Sequence, residues 1–480
     1  QRTSLSAAFL LGDGALTSPV PTSAFAQPPG ASGEVQTFSG LLLLDMNDSR
    51  NQIRVLVDNF GVAGEQRWKL ATLPSFSFQF VGDGHALIPV QRVPQSSDHP
   101  YWEVIPAPGR RWVEKADGGW TRAALSFALK EKNQNCIHNG LMTFLYQADG
   151  RVSRVAWQIT SETCQYLKID IWGVSAAEYA PRPVKDSDEL IASYRREVSR
   201  RLPVQPLERL AQVYPGVTPG VLVNAQTEDT SAYGFVIDGS HYRNTCPTRY
   251  GPYPFCDQLI LPSYSLAKSV FGGLGYLLLT RRWPEFADQS ITGLVPECDL
   301  EDRRWQGVTT RNLVNMNTGL YDSSDFYHDE DDEKMQAFFI AETHVDKLRF
   351  SCQAWSKKSH PGEIAVYHTT DTYLLGVAMN RFLKNKAGPQ ADIHSYLYER
   401  LLKPLGLSPL ARWTQRTDDP VAQPFTGFGL IFLADDIAKI ATYLAADARR
   451  DQNLPGPELE ATMFRGVGVT DDFTSQSTSY

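Results

Sequence analysis

The chain has 480 residues, 42% hydrophobic and 21% charged, with a formal net charge of -8 and a pI near 5.7. This is ordinary globular composition, and the length suits two or three domains. No basic tract stands out, which argues against nucleic-acid binding, and no apolar run reaches the roughly 18 residues that would suggest a membrane-spanning helix.

The chain opens on Gln1 rather than an initiator methionine, so a processed chain or a fragment is expected. Arg2, a short apolar run and Ala24-Phe25-Ala26 before Gln27 look like the remains of an export signal, with Asp13 between the run and the cleavage-like site. The other reading of residues 1–36 is a disordered tail rich in Ser, Pro and Ala. From about 37 to 182 the chain reads as strands, among them Gly40–Asp45, Ile53–Val57, Ser75–Phe80, His85–Val90, Thr143–Tyr146 and Val152–Trp157. Ala148-Asp-Gly-Arg between two of them reads as a hairpin turn. No long helix interrupts the run, so a β-sandwich or barrel-like accessory domain is expected. Trp102, Trp112 and Trp120 read as packing residues, with a carbohydrate site as the other reading.

Residues 183–480 are expected to form a second domain, of α+β class. A helix is predicted over Glu189–Arg201, capped at Asp186 or Ser187. Strands are predicted at Gly220–Asn224 and Tyr233–Asp238. Val308–Tyr321 reads as a helix ended by Gly319. His328-Asp-Glu-Asp-Asp-Glu is a charge run, read as a solvated loop rather than a metal site. Helices are predicted over Asp371–Phe382, 396–404 and Asp435–Ala446. The six cysteines are even in number and include no Cys-x-x-Cys. A metal site is not expected, and in an oxidising compartment three bridges can form. Of 15 pairings, neighbours in sequence are favoured: Cys136–Cys164, Cys246–Cys256 and Cys298–Cys352. A reducing compartment with six free thiols is the alternative.

Pro262–Arg282 carries the chemistry. Ser265-Leu-Ala-Lys268 puts a hydroxyl and an amine one helical turn apart. A serine is a weak nucleophile until a base takes its proton, and a lysine serves when its own charge is disfavoured. A single Ser-x-x-Lys is weak, since about one or two are expected by chance in such a chain. It is followed, in order, by VTTRNLVNMNTGL at 308–320, by Pro361-Gly362 with Tyr367-His-Thr369 and Leu374-Leu375-Gly376, and by Gly427-Phe-Gly before Ala-Asp-Asp-Ile.

Together these motifs resemble the serine β-lactamase-like superfamily, in the branch of class C β-lactamases, D-alanyl-D-alanine carboxypeptidases and serine esterases. The resemblance covers roughly 205–465 and leaves out the β-rich part. It implies an antiparallel sheet flanked by helices, with Ser265 as the acylated nucleophile and Lys268 as the base. Tyr367 would be a second general acid/base kept acidic by Lys268, and the Ser265 backbone N–H would supply half of an oxyanion hole. No cofactor is implied. Thr369 stands where the family has Asn, as the substrate-binding position. A hydroxyl offers one donor where an amide offers two, which argues against β-lactamase activity more than against esterase activity. The family's last motif, a Lys-Thr-Gly or His-x-Gly strand, finds no match in Val469–Tyr480, so a C-terminally incomplete domain is expected. The functional expectation is a periplasmic or secreted serine hydrolase acting on a small-molecule or peptide ester or amide. The alternative is a catalytically silent protein that binds cell-wall peptide or glycan on the same scaffold.

Overall fold

A computed structural model describes residues 4–31, 33–216 and 230–447. The strand predicted at Gly220–Asn224 and the unmatched Val469–Tyr480 stretch lie outside the described residues, as does the question of a missing C-terminal strand. The chain is of mixed α+β class. It divides into two compact units, one of Gln1–Pro262, Gly406–Leu410 and Phe432–Lys439, the other of Ser263–Leu405, Ala411–Ile431 and Ile440–Tyr480.

The first unit is built on a closed antiparallel barrel of strands β1 to β8, in sequence order around the ring. They are β1 (Ser39–Asp58), β2 (Phe76–Asp83), β3 (Ala86–Pro89), β4 (Trp102–Val113), β5 (Thr121–Glu131), β6 (Ile137–Tyr146), β7 (Val155–Thr163) and β8 (Leu167–Pro181). β8 closes the ring on β1, from Gly40 opposite Pro181 to Asp58 opposite Leu167. The two segments predicted at Gly40–Asp45 and Ile53–Val57 are one strand of 20 residues, and the irregularity between them is a register shift against β8 at Asp45/Arg50.

Strand alternation explains why the barrel is filled rather than hollow. Leu125, Phe127 and Leu129 of β5, Met142, Phe144 and Tyr146 of β6, and Val155, Trp157 and Ile159 of β7 face one core. Their alternating neighbours Ala124, Leu141, Leu145 and Ala156, with Trp172 and Val174 of β8, face a second core on the outer surface. That second core is completed by Leu5, Leu10, Leu16, Val20 and Phe25. Residues 5–25, read above as a signal or tail, therefore pack in this structure: Ala7–Leu11 is a short helix capped by Ser6, and Leu5, Leu10 and Phe25 are fully buried. Trp102 and Trp112 are also fully buried, which favours packing over a carbohydrate site. The helix predicted over Glu189–Arg201 is Ser187–Ser199, preceded by Asp186 in a left-handed conformation without a side-chain cap bond. A three-stranded sheet follows in the order β10-β11-β9, with β9 Val204–Pro206, β10 Gly234–Ile237 and β11 Ser240–Arg243.

The second unit is largely helical. Its longest helix among the described residues, Thr369–Ala387, buries Tyr373, Leu374, Leu375, Val377, Ala378 and Met379. The helix expected to run on to Gly319 is only Thr310–Val314, opened by a Thr309/Asn312 capping box. Met316 is left-handed two residues past its end and breaks it early. Gly319 serves a separate turn at φ 77°, where a Cβ would strike the Ser359 carbonyl. All three predicted disulfides are formed: Cys136–Cys164, Cys246–Cys256 and Cys298–Cys352.

Candidate active site

Ser265 lies in the turn that enters the helix rather than inside it. Its carbonyl accepts from the Lys268 N–H at 2.9 Å, and the helix proper begins at the next residue. Tyr264, just before it, is left-handed at φ 41°, an uncommon conformation for a bulky side chain. The turn is tied down at Ser263, whose N–H donates to Leu430 O at 2.9 Å and whose hydroxyl accepts from Leu430 N–H at 3.1 Å. From Lys268 to Gly273 the helix widens into a π-turn, a feature frequent at functional sites. Ser265 is exposed while Val270 and Phe271 behind it are fully buried, so the hydroxyl is presented on an anchored element.

Lys268 Nζ lies 3.0 Å from Ser265 Oγ and 3.2 Å from the Gly427 carbonyl. It also sits 4.7 Å from the centre of the Tyr367 ring. Burial lowers the amine to a pKa of about 8, against the pull of the Glu330 carboxylate. Tyr367 is half-buried on an extended segment fixed by its N–H to Phe326 O at 2.7 Å and by Val366 N–H to Met316 O at 2.9 Å. Its ring packs on Phe326 and Tyr327, with centroids 5.7 and 5.1 Å away. Ser265, Lys268 and Tyr367, separated by about a hundred residues of sequence, are thus brought together around one amine.

Thr369 is not presented as a free donor. It is buried at the start of the Thr369–Ala387 helix, and both its N–H (2.9 Å) and its hydroxyl donate to the Glu330 carboxylate. Gly427 fits beside it because it has no side chain: a Cβ there would come within 2.8 Å of Thr369 Cγ2 and 2.9 Å of Thr372 Oγ1. The charge run read as a solvated loop is partly buried instead. Asp329 is almost fully buried, accepting from the N–H groups of Asp322 and Ser323 at 2.8 and 2.9 Å and lying 3.1 Å from His368 Nε2. His368 is buried, stacked on Trp355 at 4.3 Å, with Asp371 3.7 Å from its other ring nitrogen. Burial alone would discharge the ring, but Asp329 and Asp371 outweigh it and raise its pKa to about 9. Glu330 and Asp329 were missed because a run of acidic residues gives no sign of which carboxylates turn inward. The signal that could have found them is Tyr367-His-Thr369 itself, whose buried imidazole and hydroxyl need acceptors.

A serine hydroxyl at hydrogen-bond distance from a partly discharged lysine is the geometry of an activated nucleophile. The chain belongs to the Beta-lactamase family, whose sequence model matches residues 212–476, more than half of the chain. Among curated proteins none matches. Among solved structures, a candidate β-lactamase from Bacteroides dorei overlaps at 14% identity and a TM-score of 0.35, covering 50% of this chain and 65% of that one. A penicillin-binding protein homolog from Caulobacter crescentus overlaps at 16% identity and a TM-score of 0.36, covering 50% of this chain and 72% of that one. The family assignment rests on the sequence match, not on these overlaps.

Proposed function

We propose that this protein is a serine hydrolase that cleaves a small-molecule or peptide ester or amide through an acyl-enzyme at Ser265. The observation that carries the reading is the 3.0 Å approach of Lys268 Nζ to Ser265 Oγ, with burial holding that amine near pH 8. In this reading neutral Lys268 takes the Ser265 proton as Oγ bonds to the substrate carbonyl carbon. The Ser265 N–H is one donor to the oxyanion, a contribution typically worth several kcal/mol. Collapse expels the alcohol or amine, which receives its proton through Tyr367. Water then attacks the acyl-Ser265 ester, giving its proton back through the same groups and releasing the acid. The engagement of the Thr369 hydroxyl by Glu330 supports esters over β-lactams, since that hydroxyl has no proton left for a substrate amide. Three disulfides support a periplasmic or secreted location.

Labelling with a fluorophosphonate probe and with a fluorescent penicillin tests this. The expected result is fluorophosphonate attached to the Ser265 peptide of the wild type, weaker or no penicillin labelling, and no label on Ser265→Ala. A folded wild type that takes neither probe would leave the silent cell-wall binding protein as the better reading.

A further inference from the structure

The segment 425–430 touches both halves of the Ser265 and Lys268 pair. At its far end Leu430 exchanges two hydrogen bonds with Ser263 and so ties down the turn that presents Ser265. At its centre the Gly427 carbonyl accepts from Lys268 Nζ at 3.2 Å. The segment is itself held by two helices. The Thr426 hydroxyl donates to the Thr372 carbonyl of the Thr369–Ala387 helix. The rings of Phe425 and Phe428, on either side of Gly427, pack on each other with centroids 4.9 Å apart. Both face Lys347 of the His344–Gln353 helix, whose Nζ lies 4.7 and 5.9 Å from their centres.

Lys347 is fully buried. Its Nζ donates to the Phe338 carbonyl at 2.7 Å and lies 4.6 Å from the centre of the Phe338 ring. A lysine is rarely buried outright, because taking an ammonium out of water is costly. An apolar side chain would fill the same space at less cost, so packing alone does not account for a lysine here. Burial lowers the amine to a pKa of about 7, against the pull of Glu342. Charged, it is held by the ring faces; neutral, it still donates to the Phe338 carbonyl. We propose that Lys347 is a positioning residue of this site: by gripping Phe425 and Phe428 it sets the segment 425–430, and with it the Gly427 carbonyl that holds Lys268 in reach of Ser265. The consequence at Ser265 rests on the serine hydrolase reading, whereas the grip on Lys268 does not.

Three measurements on wild type, Lys347→Met and Phe428→Leu decide this. Lys347→Met keeps the length of the side chain without its donors or charge, and Phe428→Leu removes one ring while leaving Lys347 in place. Urea unfolding reports whether each variant is folded. Competitive acetylation of Lys268 across pH, read by mass spectrometry, reports its ionisation with no turnover required. The rate of fluorophosphonate labelling on its high-pH plateau reports the consequence at Ser265. Lys347→Met is expected to resist urea as well as wild type or better. Its Lys268 midpoint should fall by about half a pH unit or more, since an acceptor that favours the charged amine is loosened. Labelling should slow by about tenfold to a hundredfold, the scale on which a misplacement of about 1 Å acts. Phe428→Leu should move both readings the same way by less. An unchanged Lys268 midpoint in folded Lys347→Met overturns the proposal, whatever happens to labelling. So does a Lys347→Met that fails to fold beside a folded Phe428→Leu with the wild-type midpoint. Absence of label on wild-type Ser265 would count against the hydrolase reading alone, because the acetylation titration still reads the grip on Lys268.

Discussion

In the proposed reaction Lys268 has two opposed tasks at the residue scale. It must keep its hydrogen bonds to Ser265 and Gly427, and it must be neutral often enough to accept a proton. Only the neutral amine is a base, and it accumulates as pH rises through the lowered value of about 8. The labelling or turnover rate of the wild type is therefore expected to climb across pH 7 to 9 and then level. Lys268→Arg separates the two tasks. It keeps a cation and donors for Gly427, but a guanidinium does not give up its proton at any working pH. A loss of about 10²–10⁴ in acylation rate is expected, the usual contribution of a general base. A Lys268→Arg enzyme within about tenfold of wild type, or a wild-type profile flat from pH 6 to 9, would remove Lys268 from that role.

The element that holds the site is the joint between the Tyr367 segment and the Thr369–Ala387 helix, and His368 is its fastener. Its imidazolium lies buried between Asp329 and Asp371 and against Trp355. Replacing His368 by Asn removes the charge and leaves two buried carboxylates uncompensated, a change that typically costs about 3–5 kcal/mol. The pH dependence has a definite sign. The folded-state value near 9 lies above the ordinary 6.5, so the stabilisation is complete below pH 6.5 and is lost as pH rises toward 9. Urea unfolding should show wild type weakening over that window and His368→Asn, already weaker, lacking that component. A variant within about 1 kcal/mol of wild type would show that the joint is held otherwise. This element also marks how far the sequence could be read. That Lys268 meets both Ser265 and the Tyr367 ring was legible because the residues fall at fixed spacings and in motif order. The β-rich domain was legible because strand alternation is a local signal, but its closure into a barrel rather than a sandwich was not. Glu330, Asp329 and the engagement of Thr369 were not, because each depends on which side of a loop turns toward residues about 40 positions away. The early end of the helix at Val314 was hidden for a similar reason: Gly319 is a good stop signal, but Met316 gives no warning of a left-handed turn.

On the scale of the whole molecule, the three disulfides link the chain's chemistry to where it folds. Two belong to the first unit, with sequence separations of 28 and 10, and the third closes 54 residues within the second unit. A cross-link stabilises mainly by restricting the unfolded chain, and chain entropy gives about 3.5, 3 and 4 kcal/mol for loops of these lengths. The Cys298→Ala/Cys352→Ala pair should therefore weaken the molecule more than Cys246→Ala/Cys256→Ala. Because each unit has its own core, the first pair should shift the unfolding transition that carries loss of Ser265 labelling, and the second pair the other transition. The compartment is tested by thiol counting. Protein purified without reductant and then denatured should show no reactive thiols, and all six only after reduction. Six thiols before reduction, in a protein that still labels at Ser265, would mean that the fold does without its bridges and that a reducing compartment suits it equally well.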